Sequence, residues 1–323
     1  MRQSSILSLG PGGFHRVAYT DWGDADNPHV VMCVHGLSRN SRDFDYLAEA
    51  LHKDYRVVCM DVVGRGDSDW LEDRSGYTFS TYLSDAAALV ARVTTPVRGG
   101  FLRELRSRNL DWIGTSMGGL IGMLLAAKRN SPIGRLVMND VGPFVPWNGL
   151  FRLKGHLGRP RGFGSQHSAA EFLREALAAF GALTEPQWAH LIEHSVEKRD
   201  DGRWYLRFDP AIGEWNAQSD PELPMGPTFL RGLDLWSAWN AVDCPVLVLR
   251  GAQSDVLTAA TVEEMKQRKP ATQSVEFEGV GHAPSLMAKD QIEAVRGFLR
   301  QRRSGQEERK GTALPMAQRR FLS

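Results

Sequence analysis

Cysteine is scarce in this chain. Only Cys33, Cys59 and Cys244 occur in 323 residues, and each falls in or beside an apolar run that reads as a strand. An odd number in core-like places argues against a disulfide framework, and the absence of a CxxC pair or a Cys/His cluster removes the usual frame for a structural metal. The three read as small core residues. Charge of one sign is also missing. Lys+Arg total 39 against 38 Asp+Glu, a net +1, so no global field gathers nucleic acid or an anionic membrane. No uninterrupted apolar run reaches the roughly 20 residues that span a bilayer. Met1 to Gly10 lacks the basic start and long apolar stretch of a secretory leader. There is no internal repeat, no Walker motif and no dinucleotide-binding glycine fingerprint. Gly10-Pro11-Gly12-Gly13 reads as a flexible turn, with no strand leading into it and no helix following. These absences predict a cytoplasmic protein with no cofactor, no metal, no nucleic-acid partner and no membrane span.

What the chain does have is enough apolar content, 42%, to bury a sizeable core. Phe14 to Trp22 and Pro28 to Val34 read as a strand pair. Tyr55 to Met60, Leu110 to Thr115, Arg135 to Val141, Pro245 to Arg250 and Gln273 to Glu278 read as further strands. Between them, Ser41 to His52, Thr78 to Val93 (with Thr78 as its cap), the run after Ser116 and Lys289 to Gln301 have helical spacing. Phe101 to Arg108 reads as a short basic helix. Strands that are apolar along their length and alternate with helices predict an α/β fold, with a mostly parallel central sheet covered by helices on both faces. About a hundred residues break the rhythm. They hold Trp147, Trp188, Trp204, Trp215, Trp236 and Trp239, with helices expected over Ala169 to Phe180 and Glu185 to Lys198. The expected organisation is a core of residues 1–141 and 245–301, an inserted helical cap over 142–244, and a disordered polar tail over 302–323.

Gly114-Thr115-Ser116-Met117-Gly118 carries the chemistry. It lies between the strand Leu110-Asp111-Trp112-Ile113 and the apolar helix beginning Leu120-Ile121-Gly122-Met123, the context in which Gly-x-Ser-x-Gly forms a nucleophile elbow. The turn lifts the Ser116 hydroxyl to the strand's C-terminal edge, where a helix N-terminus offers N–H groups to a developing anion. A serine hydroxyl needs a base, and the base needs an orienting acid. Among nine histidines, His282 is favoured as the base, because Gly279-Val280-Gly281-His282-Ala283-Pro284 forms a loop at the same sheet edge. Two carboxylates compete to orient it. Asp255 follows the strand ending Leu249-Arg250-Gly251, and Asp140 ends the strand before. Both preserve the order Ser, Asp, His, and Asp255 is favoured, with Asp140 the alternative acid. The oxyanion donors are the N–H of Met117 and, from the loop His35-Gly36-Leu37-Ser38, the N–H of Leu37.

With these features the chain resembles the α/β-hydrolase family over about residues 14 to 300. The likeness rests on His35-Gly36, on Asp61-Val62-Val63-Gly64-Arg65-Gly66-Asp67-Ser68, on the serine elbow, on Asp255 and on Gly281-His282. The Asp61 segment is similar to the family's structural D-x-x-G-x-G-x-S loop, so Arg65 and Asp67 stay outside the expected chemistry. The resemblance implies nucleophile, orienter and base roles for Ser116, Asp255 and His282, and a cap between the sixth and seventh core strands that shapes the pocket. Ser116 at the elbow argues against the epoxide hydrolases and haloalkane dehalogenases of this fold, which use aspartate there.

The expected function is hydrolysis of a small-to-medium carboxylic ester through an acyl-enzyme, with a small-molecule substrate. Two rival enzymes share the triad: a carbon–carbon bond hydrolase of the meta-cleavage type, for which Arg152, Arg159 or Arg161 would bind the substrate's carboxylate, and an acyltransferase. A non-catalytic binder of a small ligand is the remaining alternative.

Overall fold

The computed structural model describes residues 1–95, 109–149, 162–214, 220, 223 and 232–301. The expected helix at Phe101 to Arg108, the three candidate arginines Arg152, Arg159 and Arg161, Trp215 and the tail over 302–323 lie outside the described residues.

The core is one eight-stranded sheet. Its strands are β1 (Arg2–Gly10), β2 (Gly13–Trp22), β3 (His29–Val34), β4 (Arg56–Met60), β5 (Asn109–Thr115), β6 (Ile133–Asn139), β11 (Val246–Gly251) and β12 (Gln273–Phe277), in the order β1-β2-β4-β3-β5-β6-β11-β12. From β4 to β12 every neighbour is parallel, and β1 and β2 add an antiparallel edge. Within β3 the side chains alternate between two cores, with Val30, Met32 and Val34 on one face and Val31 and Cys33 on the other, as the two-residue period of a strand requires. On the first face lie α2 (Phe79–Thr94) and α3 (Met117–Ala126). On the second lie α1 (Asp45–Leu51) and α8 (Lys289–Arg300). Apolar residues on both faces are what keep the parallel strands dry. Thr78 caps α2 by accepting from the Thr81 N–H. Cys33 and Cys59 are register partners on β3 and β4 and remain free thiols.

Two sequence expectations change at the N-terminal edge. The strands at 14–22 and 28–34 are both present but do not pair, because β4 lies between them. A strand, β1, does lead into Gly10-Pro11-Gly12-Gly13, and the segment is the two-residue turn of a hairpin in which Gly10 opposes Gly13. Arg2 to Gly10 is a strand, although only one face of it is partly covered.

Between β6 and β11, two short strands, β7 (Phe144–Pro146) and β10 (Gly232–Asp234), pair antiparallel where the insertion leaves and rejoins the sheet. The insertion contains α4 (Gln166–Ala176), α5 (Glu185–Ser195), the hairpin of β8 (Val196–Lys198) with β9 (Trp204–Leu206), and α6 (Trp236–Ala241), after which α7 (Ala259–Arg268) belongs to the core. Ser165 and Thr184 start α4 and α5 with reciprocal capping boxes, each satisfying two otherwise orphaned N–H groups. The helix expected to run to Lys198 stops at Ser195, because Val196 enters a strand. Trp188 buries with Leu173, Leu177 and Leu191 in a separate small core, while Trp236 and Trp239 join the main one. Among the described residues no helix is long and apolar enough to cross a membrane.

Candidate active site

The turn at Ser116 is possible only because two backbones nearly touch. A Cβ on Gly118 would stand 2.0 Å from the Val34 carbonyl oxygen, and one on Gly114 would stand 2.2 Å from the Gly118 carbonyl. Ser116 itself takes φ 52° and ψ −117°, a left-handed conformation that costs a non-glycine residue energy and is held by its surroundings. Its N–H donates to the Asn139 carbonyl (2.9 Å), and its carbonyl accepts from Gly119 and Leu120. The Asn139 amide ties Thr115 to the Pro284 carbonyl, and so fastens the elbow to the histidine loop.

His282 Nε2 lies 2.9 Å from Ser116 Oγ, and its Nδ1 lies 2.8 Å from Asp140 Oδ2. An ionised carboxylate only accepts, so Nδ1–H donates to Asp140 and the bare Nε2 accepts from the serine hydroxyl. That is the tautomer in which the ring can take the serine's proton. Asp140 is fully buried. Besides His282, it accepts from the Gly251 N–H (2.8 Å) and the Ser254 hydroxyl (2.6 Å).

The favoured acid was Asp255, and the structure puts Asp140 against the imidazole instead. The reason lies in the turn after β11. Ser254 is buried there, donates to Asp140 and accepts from Val256 and Leu257 N–H groups. It thus takes the inward place that Asp255, half-buried beside it, was expected to fill. Asp140 reaches across from the end of β6 with φ 56°, its own N–H donating to the Leu249 carbonyl of the neighbouring strand.

Both expected oxyanion donors are on the same side of the sheet. Gly36 packs on the serine, since a Cβ there would lie 3.6 Å from Ser116 Cβ. Among the described residues, no hydrogen bond engages the N–H of Leu37 or of Met117, the latter at the first position of α3, where no intrahelical partner exists. The Gly36 carbonyl, on the same peptide unit as the Leu37 N–H, accepts from His35 Nδ1 (2.7 Å) and from the Arg39 N–H (3.2 Å), which fixes that plane.

His35 Nε2 accepts from the Val62 N–H at 3.0 Å, so the fully buried ring is neutral. Burial drives its pKa from 6.5 down to about 3. The unfolded chain therefore takes this proton first, and the associated stability is complete above about pH 6.5 and is lost as pH falls toward 3. Asp61 acts in the opposite sense. Burial lifts it from 3.8 to about 6 although the Ser41 and Asp67 N–H groups donate to it, so acid favours the fold between those values. Comparing His35→Gln with the parent cancels the Asp61 part. Between pH 6 and 4 the parent is expected to lose about 1.4 kcal/mol more per pH unit than the variant, measured by urea unfolding at several pH values. Parallel curves would refute the assignment.

A cleft between the loop after Leu37 and the insertion is lined by Ser38, Arg39, Phe172, Leu177, Leu206 and Phe208. Nearby, ligand-type atoms of Asp45, His190 and His194 come within 4.8 Å of one another. The Arg42 guanidinium already donates to Asp45 (2.7 Å) and faces His194 Nδ1 (3.4 Å), and His190 Nε2 donates to the Arg42 carbonyl (2.9 Å). A side-chain cation already serves that carboxylate, so the cluster fastens α5 to α1.

Comparison with known proteins bears on the family. Residues 31–295 match the model of the alpha/beta hydrolase family. The chain is similar to a 3-hydroxybutyrate-oligomer hydrolase of Cupriavidus necator, at 42% identity over 92% of this chain and 97% of the relative. It is also similar to an esterase of Mycobacterium tuberculosis, at 28% identity over 86% and 84%. A solved alpha/beta hydrolase from Novosphingobium aromaticivorans superposes with a TM-score of 0.76, at 33% identity over 92% of this chain and 98% of that one. The chain belongs to the alpha/beta hydrolase family. The expectation of an ester hydrolase agrees with what these relatives are named for.

Proposed function

We propose that the protein hydrolyses carboxylic esters through an acyl-enzyme on Ser116, with His282 as base and Asp140 as its orienting acid. The observation that supports this most directly is the unbroken relay from Ser116 through His282 to Asp140 at 2.9 and 2.8 Å. His282 Nε2 takes the serine proton as Oγ attacks the carbonyl carbon. Asp140 stabilises the imidazolium, and the Leu37 and Met117 N–H groups receive the oxyanion. The same imidazolium then protonates the leaving alcohol, and the neutral ring afterwards draws a proton from water for deacylation. The segment over 142–244 serves as the cap. The Cupriavidus relative's name points to short oligoesters of hydroxy acids as the substrate class.

The test pairs a fluorophosphonate probe with turnover of p-nitrophenyl esters of rising acyl length and of a 3-hydroxybutyrate dimer and trimer. The parent is expected to be labelled and to release alcohol and acid, and Ser116→Ala to lose both. An unlabelled parent, or a Ser116→Ala protein with full turnover, would end this reading.

A further inference from the structure

Arg65 lies in a loop that the sequence pattern marks as structural, and the structure gives it unusual surroundings. Its side chain is 0% exposed, yet among the described residues no carboxylate lies within ion-pair distance of it. Nε donates to the Leu37 carbonyl at 2.9 Å, Nη1 to the Val63 carbonyl at 2.7 Å and the Tyr82 hydroxyl at 3.0 Å, and Nη2 approaches Met117 Sδ at 3.8 Å. The Tyr82 and Tyr77 rings lie 5.0 and 5.8 Å from its central carbon. A buried guanidinium without a counter-charge is expensive. Aromatic faces and carbonyl oxygens offset part of that cost, and leave a positive charge in a dry place.

The partners of Arg65 are what give it meaning. Leu37 and Met117 are the two residues whose N–H groups the serine-hydrolase reading assigns to the oxyanion. Arg65 holds the far side of both: the carbonyl of Leu37, which fixes the peptide plane following that donor, and the side chain of Met117. Its positive charge is also felt in the same loop, where it adds to burial in keeping His35 unprotonated.

We propose that Arg65 is a positioning residue for the oxyanion site: it locks the Leu37 and Met117 donors in register and adds fixed positive charge behind them. This rests on the serine-hydrolase reading above. Charge that is in place before the reaction stabilises the tetrahedral state more than the neutral ester, so removing it lowers kcat rather than raising KM.

Arg65→Lys and Arg65→Met test this with p-nitrophenyl butyrate and a trifluoromethyl ketone that adds to the serine as an oxyanion. Arg65→Lys keeps a cation beside the tyrosines but cannot hold Leu37 and Met117 together. It is expected to lose about tenfold to a hundredfold in kcat with KM within threefold, and to weaken the ketone by the same factor. Arg65→Met, where it folds as judged by near-ultraviolet circular dichroism, is expected to lose more. A folded Arg65→Lys with kcat within threefold of the parent, or with its loss confined to KM, overturns the proposal. Fluorophosphonate labelling of the parent separates the two readings. A labelled parent with fast variants removes only the Arg65 role, whereas an unlabelled parent removes the serine reading and the Arg65 role with it.

Discussion

Asp140→Asn is expected to lower kcat on p-nitrophenyl esters about ten-thousandfold, the size of effect that follows when the orienting acid of such a triad becomes an amide. Asparagine keeps the volume but changes the polarity. Three donors converge on the carboxylate, from His282, Gly251 and Ser254, and an amide nitrogen facing any of them is repelled. The imidazole then favours the opposite tautomer, with its proton on Nε2 and nothing to accept the serine's. Asp255→Asn is expected to leave kcat within a few-fold, because His282 Nδ1 is already served by Asp140. Steady-state kinetics on the two variants decides between the carboxylates. A crippled Asp255→Asn beside an active Asp140→Asn would reverse the assignment drawn from the geometry.

Gly118→Ala is expected to cost about 4 kcal/mol or more of stability and to abolish labelling of Ser116. The added carbon would meet the carbonyl oxygen and carbon of Val34, at 2.0 and 2.5 Å. Both atoms belong to the central strand β3, so no side chain can swing aside. The strand or the elbow must shift, and either shift moves the nucleophile from the base. Gly114→Ala meets the Gly118 backbone at 2.2 Å and is expected to do the same. Gly297, inside α8, has nothing within 4 Å of the added carbon. There alanine is expected to be neutral or to add up to about 1 kcal/mol through helix propensity. Urea unfolding of the three variants checks the contrast, and a stable, labelled Gly118→Ala would refute the close approach.

The elbow was legible because local rules define it: an apolar strand, two glycines and an apolar helix in immediate succession. The choice of acid was not, for a physical reason. Asp140 and Asp255 leave adjacent parallel strands at the same edge, and both keep the chain order. What separates them is a left-handed backbone at Asp140 and the inward turn of Ser254, which are properties of packing between β6 and β11. The β1 strand was missed because its side chains are mostly exposed, with Leu7 71% and Leu9 61% accessible, so it lacks the buried run that marks its neighbours. The glycine-rich turn after it was the signal that could have found it. Arg65 could not be found by pattern at all. Its meaning comes from Leu37 and Met117, 28 residues before and 52 after it.

The loop that carries Arg65 also makes a seam with the insertion. Gly66 N–H donates to the Arg207 carbonyl (2.9 Å), Asp209 N–H donates to the Gly64 carbonyl (2.8 Å), and Phe208 bridges Arg65 between them. These stitches run backbone to backbone, and of the side chains along the seam they are joined by those of Arg207, paired with Asp67, and Asp209, which accepts from the Tyr77 hydroxyl (2.7 Å). An insertion tacked down in this way is free to change its lining residues while staying in place. Descendants of such a protein can change cleft residues such as Phe172 without rebuilding the attachment.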